Sequence, residues 1–161
     1  MDAAHQESAI LRQAVRLATD NVRGGGGPFG ALVVVPDGRV FQGVNRVTAT
    51  LDPTAHAEVT AIRAACQALG TFDLAGATLY ASCEPCPMCL SSALWARIST
   101  VFFAADRDDA AAAGFDDAVF YDYLENPGGA DSLMPIKRIG LGADATEPFS
   151  VWLSTPDRIA Y

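Results

Sequence analysis

Basic residues are scarce in this chain. Lysine and arginine total 11 against 19 aspartates and glutamates, a formal net charge of −8, and no basic run offsets the balance. Tight binding to RNA or DNA depends on neutralising phosphates with such side chains, so no nucleic-acid partner is expected. A long apolar run is missing too, since nothing approaches the ~20 residues that span a bilayer, and no membrane association is expected. The start, Met1-Asp2-Ala3-Ala4-His5-Gln6, lacks both the basic and the apolar region of a signal peptide. Cysteine is thin: four in 161 residues do not suggest the disulfide framework of a small secreted protein. No repeat or low-complexity linker divides the sequence, and half of it is hydrophobic, enough for one core. A single cytoplasmic domain over 1–161 is the expectation.

Three of the four cysteines cluster in Ser82-Cys83-Glu84-Pro85-Cys86-Pro87-Met88-Cys89, and His56-Ala57-Glu58 lies upstream. Two thiolates at C-x-x-C spacing and one histidine make three corners of a tetrahedral zinc site. The fourth is then left for water, the pattern of a catalytic rather than a structural zinc. Glu58, two residues from the histidine, could hold a proton for that water. Both Cys83/Cys86 and Cys86/Cys89 have the spacing; the second pair is preferred because residues three apart share a helix face, whereas Cys83 ends a strand. Were Cys83 a fourth ligand, the site would close into a non-catalytic zinc module. A thioredoxin-like reading of C-x-x-C leaves His56 and Glu58 without roles.

Hydrophobic spacing predicts the frame around these motifs. Gln6 to Val22 reads as an amphipathic helix stopped by Gly24–Gly27. That glycine run is followed by a strand and by no Lys-Ser/Thr pair, so it is a turn rather than a phosphate loop. Ala31–Val35 and Arg39–Asn45 form a hairpin about Pro36-Asp37-Gly38. Val47–Pro53 is an irregular loop, and a second helix begins near Thr54 or Ala55, with Val59, Ile62, Cys66 and Leu69 on one face and Gly70 as its stop. Cys66 on that stripe is a core thiol. Ala77–Ser82 is a buried strand, Pro85 to Ala96 a third helix, and Thr100–Ala105 a strand parallel to the first through this crossover. Asp106–Asp109 reads as a loop and helix cap, Ala110–Ala113 as a short helix, and Ala118–Glu125 as another. Asn126–Gly129 is a break, Ile136–Leu141 a last strand and Pro148–Leu153 a closing helical turn or two. Both metal-binding segments thus open helices, whose positive ends favour thiolates.

His56-Ala57-Glu58 with Pro85-Cys86-Pro87-Met88-Cys89 resembles the cytidine deaminase superfamily over most of the chain. The resemblance implies a three-layer α/β/α sandwich around a five-stranded mixed sheet. It makes His56, Cys86 and Cys89 the Zn2+ ligands and Glu58 the catalytic proton shuttle, and it leaves Cys83 out of the ligand set. Within the superfamily the chain looks most like the small bacterial guanine deaminases. That likeness rests on Gly27–Ala31, Asp52–Arg63, Ser82–Leu90, Trp95-Ala96-Arg97 and Ala113-Gly114-Phe115-Asp116-Asp117. It implies that Asn45 and Asp117 hydrogen-bond a purine, that Phe29 and Trp95 pack on or near its ring, and that Asp117 assists in catalysis. It further implies a homodimer in which the C-terminal segment 147–161 closes an active site, by exchange between copies or within one chain, with Tyr161 at the substrate. Asn126–Met134 and Ser154–Ala160, with Pro156, depart from the pattern.

The expected reaction is hydrolytic deamination of guanine to xanthine and ammonia. Glu58 relays protons to a ring nitrogen and to the leaving group, and backbone groups at Ala57 and near Ser82–Glu84 are candidates to orient the reacting centre. Guanosine, cytosine, adenine or an azine would use the same chemistry.

Overall fold

The computed structural model describes residues 3–125, 127 and 133–161. The expected break at Asn126 and Gly128–Gly129, and most of the departing stretch to Met134, lie outside them. Two compact units divide at Asp117, Met1–Asp117 and Ala118–Tyr161.

In the first unit, strand alternation decides which helix covers which face. Strand β1 (Gly30–Val34) sends Ala31 and Val33 to one side and Leu32 and Val34 to the other. It pairs antiparallel with β2 (Val40–Val44) through the predicted Pro36-Asp37-Gly38 turn, and antiparallel with β3 (Thr78–Cys83) on its other edge. Beyond β3, strand β4 (Thr100–Ala105) runs parallel to it, so the order is β2-β1-β3-β4. Helix α1 (Ala3–Arg23) covers the Leu32 face, where Ala14, Leu32 and Tyr80 form a small core with Ile10, Leu11, Leu17, Val34 and Phe102 around it.

A one-turn helix, α2 (Val47–Thr50), occupies part of the stretch expected to be irregular. Helix α3 (Ala57–Leu69) and helix α4 (Pro87–Trp95) lie on the Ala31 face. Ala57, Ala61 and Ala65, four apart on α3, are all fully buried there with Val33, Leu79 and Ala93. Cys66 packs at the margin of this core, as expected of an apolar-stripe thiol. Small residues let the helices approach the sheet closely. A side chain at Gly43 of β2 would collide with the backbone of Ala57 and Ala61, and one at Gly30 would come within 2.5 Å of the Ala14 carbonyl of α1. Helix α5 (Arg107–Ala112) begins earlier than Ala110, because Asp106 caps it and Asp109 completes a capping box.

The result is an α/β fold with a mixed sheet flanked by helices. Among the described residues the sheet has four strands, one fewer than expected. Ile136–Leu141, read as the last strand from its apolar content, belongs to no regular element. It lies in the second unit, which holds α6 (Ala118–Glu125), a 3-10 turn (Gly142–Ala145) and α7 (Glu147–Ser154). That unit buries none of its described residues. A β-like pattern yields a strand only where a sheet edge satisfies its backbone. No described helix is long and apolar enough to cross a membrane.

The close packing at Gly43 has a measurable consequence. Gly43→Ala forces backbone apart under the metal-bearing end of α3, and it is expected to cost about 1–3 kcal/mol. Thermal unfolding should fall by roughly 2–4 °C per kcal/mol; an unchanged midpoint would mean that α3 does not rest on β2 in this way.

Candidate metal centre

The metal-binding histidine does not sit inside a helix. It was expected in the first turn, yet α3 begins at Ala57 and His56 is the residue before it, in extended conformation with φ −65° and ψ 159°. Cys86 holds the same position before α4, with φ −65° and ψ 169°. Neither side chain caps its own helix, so both are free to turn toward a common point. Pro87 occupies the first helical position, where proline's missing N–H costs nothing, and Cys89 follows two residues later.

These ends converge. Cys86 Sγ and Cys89 Sγ are 3.6 Å apart, and His56 Nδ1 stands 3.6 Å from the first and 3.5 Å from the second. Ligands at about 2.3 Å for sulfur and 2.0–2.1 Å for nitrogen around a tetrahedral zinc are separated by ~3.8 Å between sulfurs and ~3.5 Å between sulfur and nitrogen. The triangle therefore matches one face of such a tetrahedron, and the donor set is the one zinc prefers. Cys83 is not part of it: its buried thiol is turned to the Asp106 carbonyl at 3.5 Å, and burial pushes it up to about 11.

Electrostatics within the triangle favour a cation. A hydrogen bond from Cys89, aided by His56, holds the Cys86 thiol down to about 4. The same hydrogen bond, with burial, pushes Cys89 far above the ordinary thiol range. Two sulfurs this close disfavour losing both protons on their own; a divalent ion would stabilise both thiolates at once. His56 is raised chiefly by its hydrogen bond with Cys86. Glu58 is 7% exposed, and its carboxyl is raised first of all by that burial. It also interacts with the Cys89 thiol, which places it on the metal side of α3.

Asp117, half-buried, is raised by burial and by the charge of Cys86, and His56 feels Asp117 in turn. Asp117 is thus near enough for its charge to be felt by Cys86 and His56. Phe29 meets Phe115 edge to face at 5.0 Å, the two lining a cavity of about 550 Å³ with Ser82 and Cys83. Asn45 is half-buried just past the end of β2. Ala57 is fully buried at the start of α3. Trp95 is not brought to the corner: it ends α4, ~12 Å along the axis from Pro87, and is 69% exposed. Tyr161 belongs to the second unit and is 74% exposed.

Two supports escaped sequence reasoning. Ser82 Oγ accepts the Gly30 N–H at 3.0 Å across 52 residues, fixing β3 to β1 just before the cysteines. Glu84 is pinned by Arg107, whose Nε donates to it at 3.1 Å and which lowers its carboxyl. Nothing local in either motif announces such distant partners.

The chain matches the cytidine and deoxycytidylate deaminase zinc-binding region over residues 4–105. It is 45% identical over 153 residues to guanine deaminase of Bacillus subtilis, covering 94% of this chain and 97% of that one. A solved X-ray structure of guanine deaminase from Bacillus subtilis superposes with a TM-score of 0.91 at 43% identity, over 100% of this chain and 99% of the other. A guanine deaminase structure from Nitrosomonas europaea gives 0.63 at 34% identity, over 67% and 63%. The tRNA-specific adenosine deaminase of Bacillus subtilis is 37% identical over 101 residues, 62% of each chain. The ion suited to the His56–Cys86–Cys89 set is zinc.

Metal analysis separates the two cysteine pairs. His56→Ala or Cys86→Ser should reduce bound zinc from about one per chain to a small fraction, whereas Cys83→Ser should retain it. Zinc loss from the Cys83 variant would instead put that thiol in the ligand set.

Proposed function

This chain belongs to the cytidine and deoxycytidylate deaminase zinc-binding family, and from that premise we propose that it hydrolyses guanine to xanthine and ammonia. The observation that carries this reading is the buried Glu58 carboxyl beside the His56–Cys86–Cys89 triangle, on a chain similar over nearly its whole length to a guanine deaminase. Zinc bound to that triangle supplies a Lewis acid that lowers the pKa of water to about 7.

The chain's own residues do the rest. Glu58, kept from solvent, takes a proton from the attacking water and gives it to a ring nitrogen next to C2. Water's oxygen bonds to C2; Glu58 then takes the remaining proton of the new C2 hydroxyl and gives it to the exocyclic nitrogen as the C2–N bond breaks, leaving the carbonyl of xanthine and free ammonia. Burial suits this task, because it brings the carboxyl's affinity for a proton nearer to neutrality. Asp117 accepts from the ring N–H and amino donors of guanine, which an acidic side chain fits better than it fits cytosine's acceptor edge, and it assists the second transfer. Asn45 reads the remaining polar edge, Phe29 offers aromatic surface to the ring, and the Ala57 N–H orients the reacting centre.

The working form is a homodimer in which the segment 147–161 of one copy closes the site of the other, with Tyr161 at the substrate. Support comes from the second unit taken alone: it exposes Ile139, Phe149, Trp152, Leu153 and Ile159, more apolar surface than a free segment keeps.

Glu58→Ala should keep its zinc and lose about 10²–10⁴-fold in guanine turnover; normal ammonia release from the zinc-loaded variant would remove Glu58 from the mechanism. Assayed beside guanine, guanosine and cytosine should be poor substrates, and a preference for guanosine would move the reading to a nucleoside. Co-expressing Glu58→Ala with a chain lacking residues 147–161 tests the exchange. Activity recovered in the mixed dimer, with neither parent active, is expected; none recovered would mean that each tail serves its own chain.

A further inference from the structure

The Gly24–Gly27 run has no place in the chemistry above, and the half-buried Asn21 beside it is drawn toward the site. Asn21 lies in the last turn of α1. Its Nδ2 donates to the Gly27 carbonyl at 2.8 Å and to the Asn45 carbonyl at 2.9 Å. A side-chain amide nitrogen carries two hydrogens, and both are used. With two carbonyl oxygens facing it, only the nitrogen can occupy that position, which settles the orientation of the amide. Asn21's own carbonyl accepts from Gly24 N at 3.1 Å and from Gly26 N at 2.8 Å, so the residue gathers the loop from both of its ends.

The same knot reaches two proposed substrate residues. Gly27's carbonyl also takes the Phe29 N–H at 2.9 Å, and the Phe29 carbonyl takes the Asn45 N–H at 3.1 Å. Asn45 is therefore held at both backbone groups, through Phe29 on one side and Asn21 on the other. Its Oδ1 accepts from Val47 N at 3.3 Å, which sets the side-chain rotamer. The glycines are what the knot leaves room for. A Cβ on Gly26 would lie 2.7 Å from Asn21 Cγ, and one on Gly27 would lie 2.9 Å from Asn45 Cγ and Oδ1. Neither position tolerates a side chain without displacing an asparagine.

We propose that Asn21 is a positioning residue for base recognition, acting through Asn45. The inference rests on the reading of Asn45 as a substrate-binding residue. Asn21 itself touches no reacting atom. Its two hydrogen bonds fix the backbone from which the Asn45 amide projects, and misplacing a recognition group by a fraction of an ångström weakens every hydrogen bond it makes. Aspartate has the same size but donates nothing, and it would set negative oxygen against two carbonyls. Alanine leaves both carbonyls unpaired.

A double-mutant cycle in kcat/KM for guanine tests this, with zinc content and thermal unfolding measured on each protein. Asn21→Ala, Asn21→Asp and Asn45→Ala should each lose about 10- to 100-fold with zinc retained. In the Asn45→Ala background, Asn21→Ala should add less than about threefold, since its route of action is gone. Additive losses, or wild-type kcat/KM in both Asn21 variants while Asn45→Ala is impaired, would overturn the inference and leave the function standing. Unimpaired guanine turnover in Asn45→Ala would overturn both the Asn45 assignment and this inference. Should the Asn21 variants fail to fold, Gly27→Ala gives the same test from the other side: a Cβ pressing on Asn45 should lower kcat/KM in the wild type and do little more in Asn45→Ala. Equal losses in the two backgrounds would refute the coupling.

Discussion

Everything in the first unit answers to one distance requirement. Three ligand atoms from two separate helix starts must fall within about 4 Å of one another, and two of them are sulfurs that repel once ionised. Positions just before a helix suit this demand. Their backbone is extended, their side chains are released from the helix surface, and the first N–H groups of the helix lend positive potential to a thiolate. His56 and Cys86 share nearly identical backbone angles because they do the same job at two helix ends. Cys89, three residues on, completes the set at no further topological cost.

Holding two helix ends at fixed separation requires that both helices be seated on the same surface without slack. Alanines do this on α3, and Gly43 brings its backbone against β2. Large side chains in those places would widen the layer and move His56 relative to the cysteines. The hydrogen bonds from Gly30 to Ser82 and from Arg107 to Glu84 act on the other partner. They anchor the chain on either side of Cys83, just before it turns into α4. The parallel pair β3 and β4 supplies the carboxyl ends above which open α/β sheets place their ligands.

How much of this was legible in the sequence follows from how local each interaction is. The ligand set was readable because its logic spans few residues: histidine at the opening of a helix, cysteines at a spacing that returns to one helix face. The hairpin was readable from Pro36-Asp37-Gly38, whose residues encode their own turn. The parallel pairing of β3 with β4 followed from the crossover. The start of α3 lies two or three residues later than the sequence suggests, since Pro53 and Thr54 resemble helix openers and nothing marks His56 as the boundary. The fifth strand failed for a different reason. Apolar, β-branched content in Ile136–Leu141 describes a segment able to join a sheet, and joining needs an edge that sequence does not name. Asn21 was invisible as well: an asparagine near a helix end followed by glycines reads as a stop signal, and its partner lies 24 residues away.

The acidity of the chain fits this site. Two thiolates and a neutral imidazole cancel the charge of Zn2+, so the metal centre presents no net cation to draw in a phosphate. Around it stand Glu58 and Asp117, both with carboxyls raised by burial, and beyond them a chain of net charge −8. Such a field repels nucleotides and nucleic acid from a distance. It does not oppose a neutral base. A ligand recognised this way is chosen at close range, by edge hydrogen bonds and a π face, and the accuracy with which those few groups are held sets the selectivity. A net charge of −8 therefore weighs against polyanionic ligands, while the accuracy with which the backbone around the metal triangle is held bears on which neutral ligand fits.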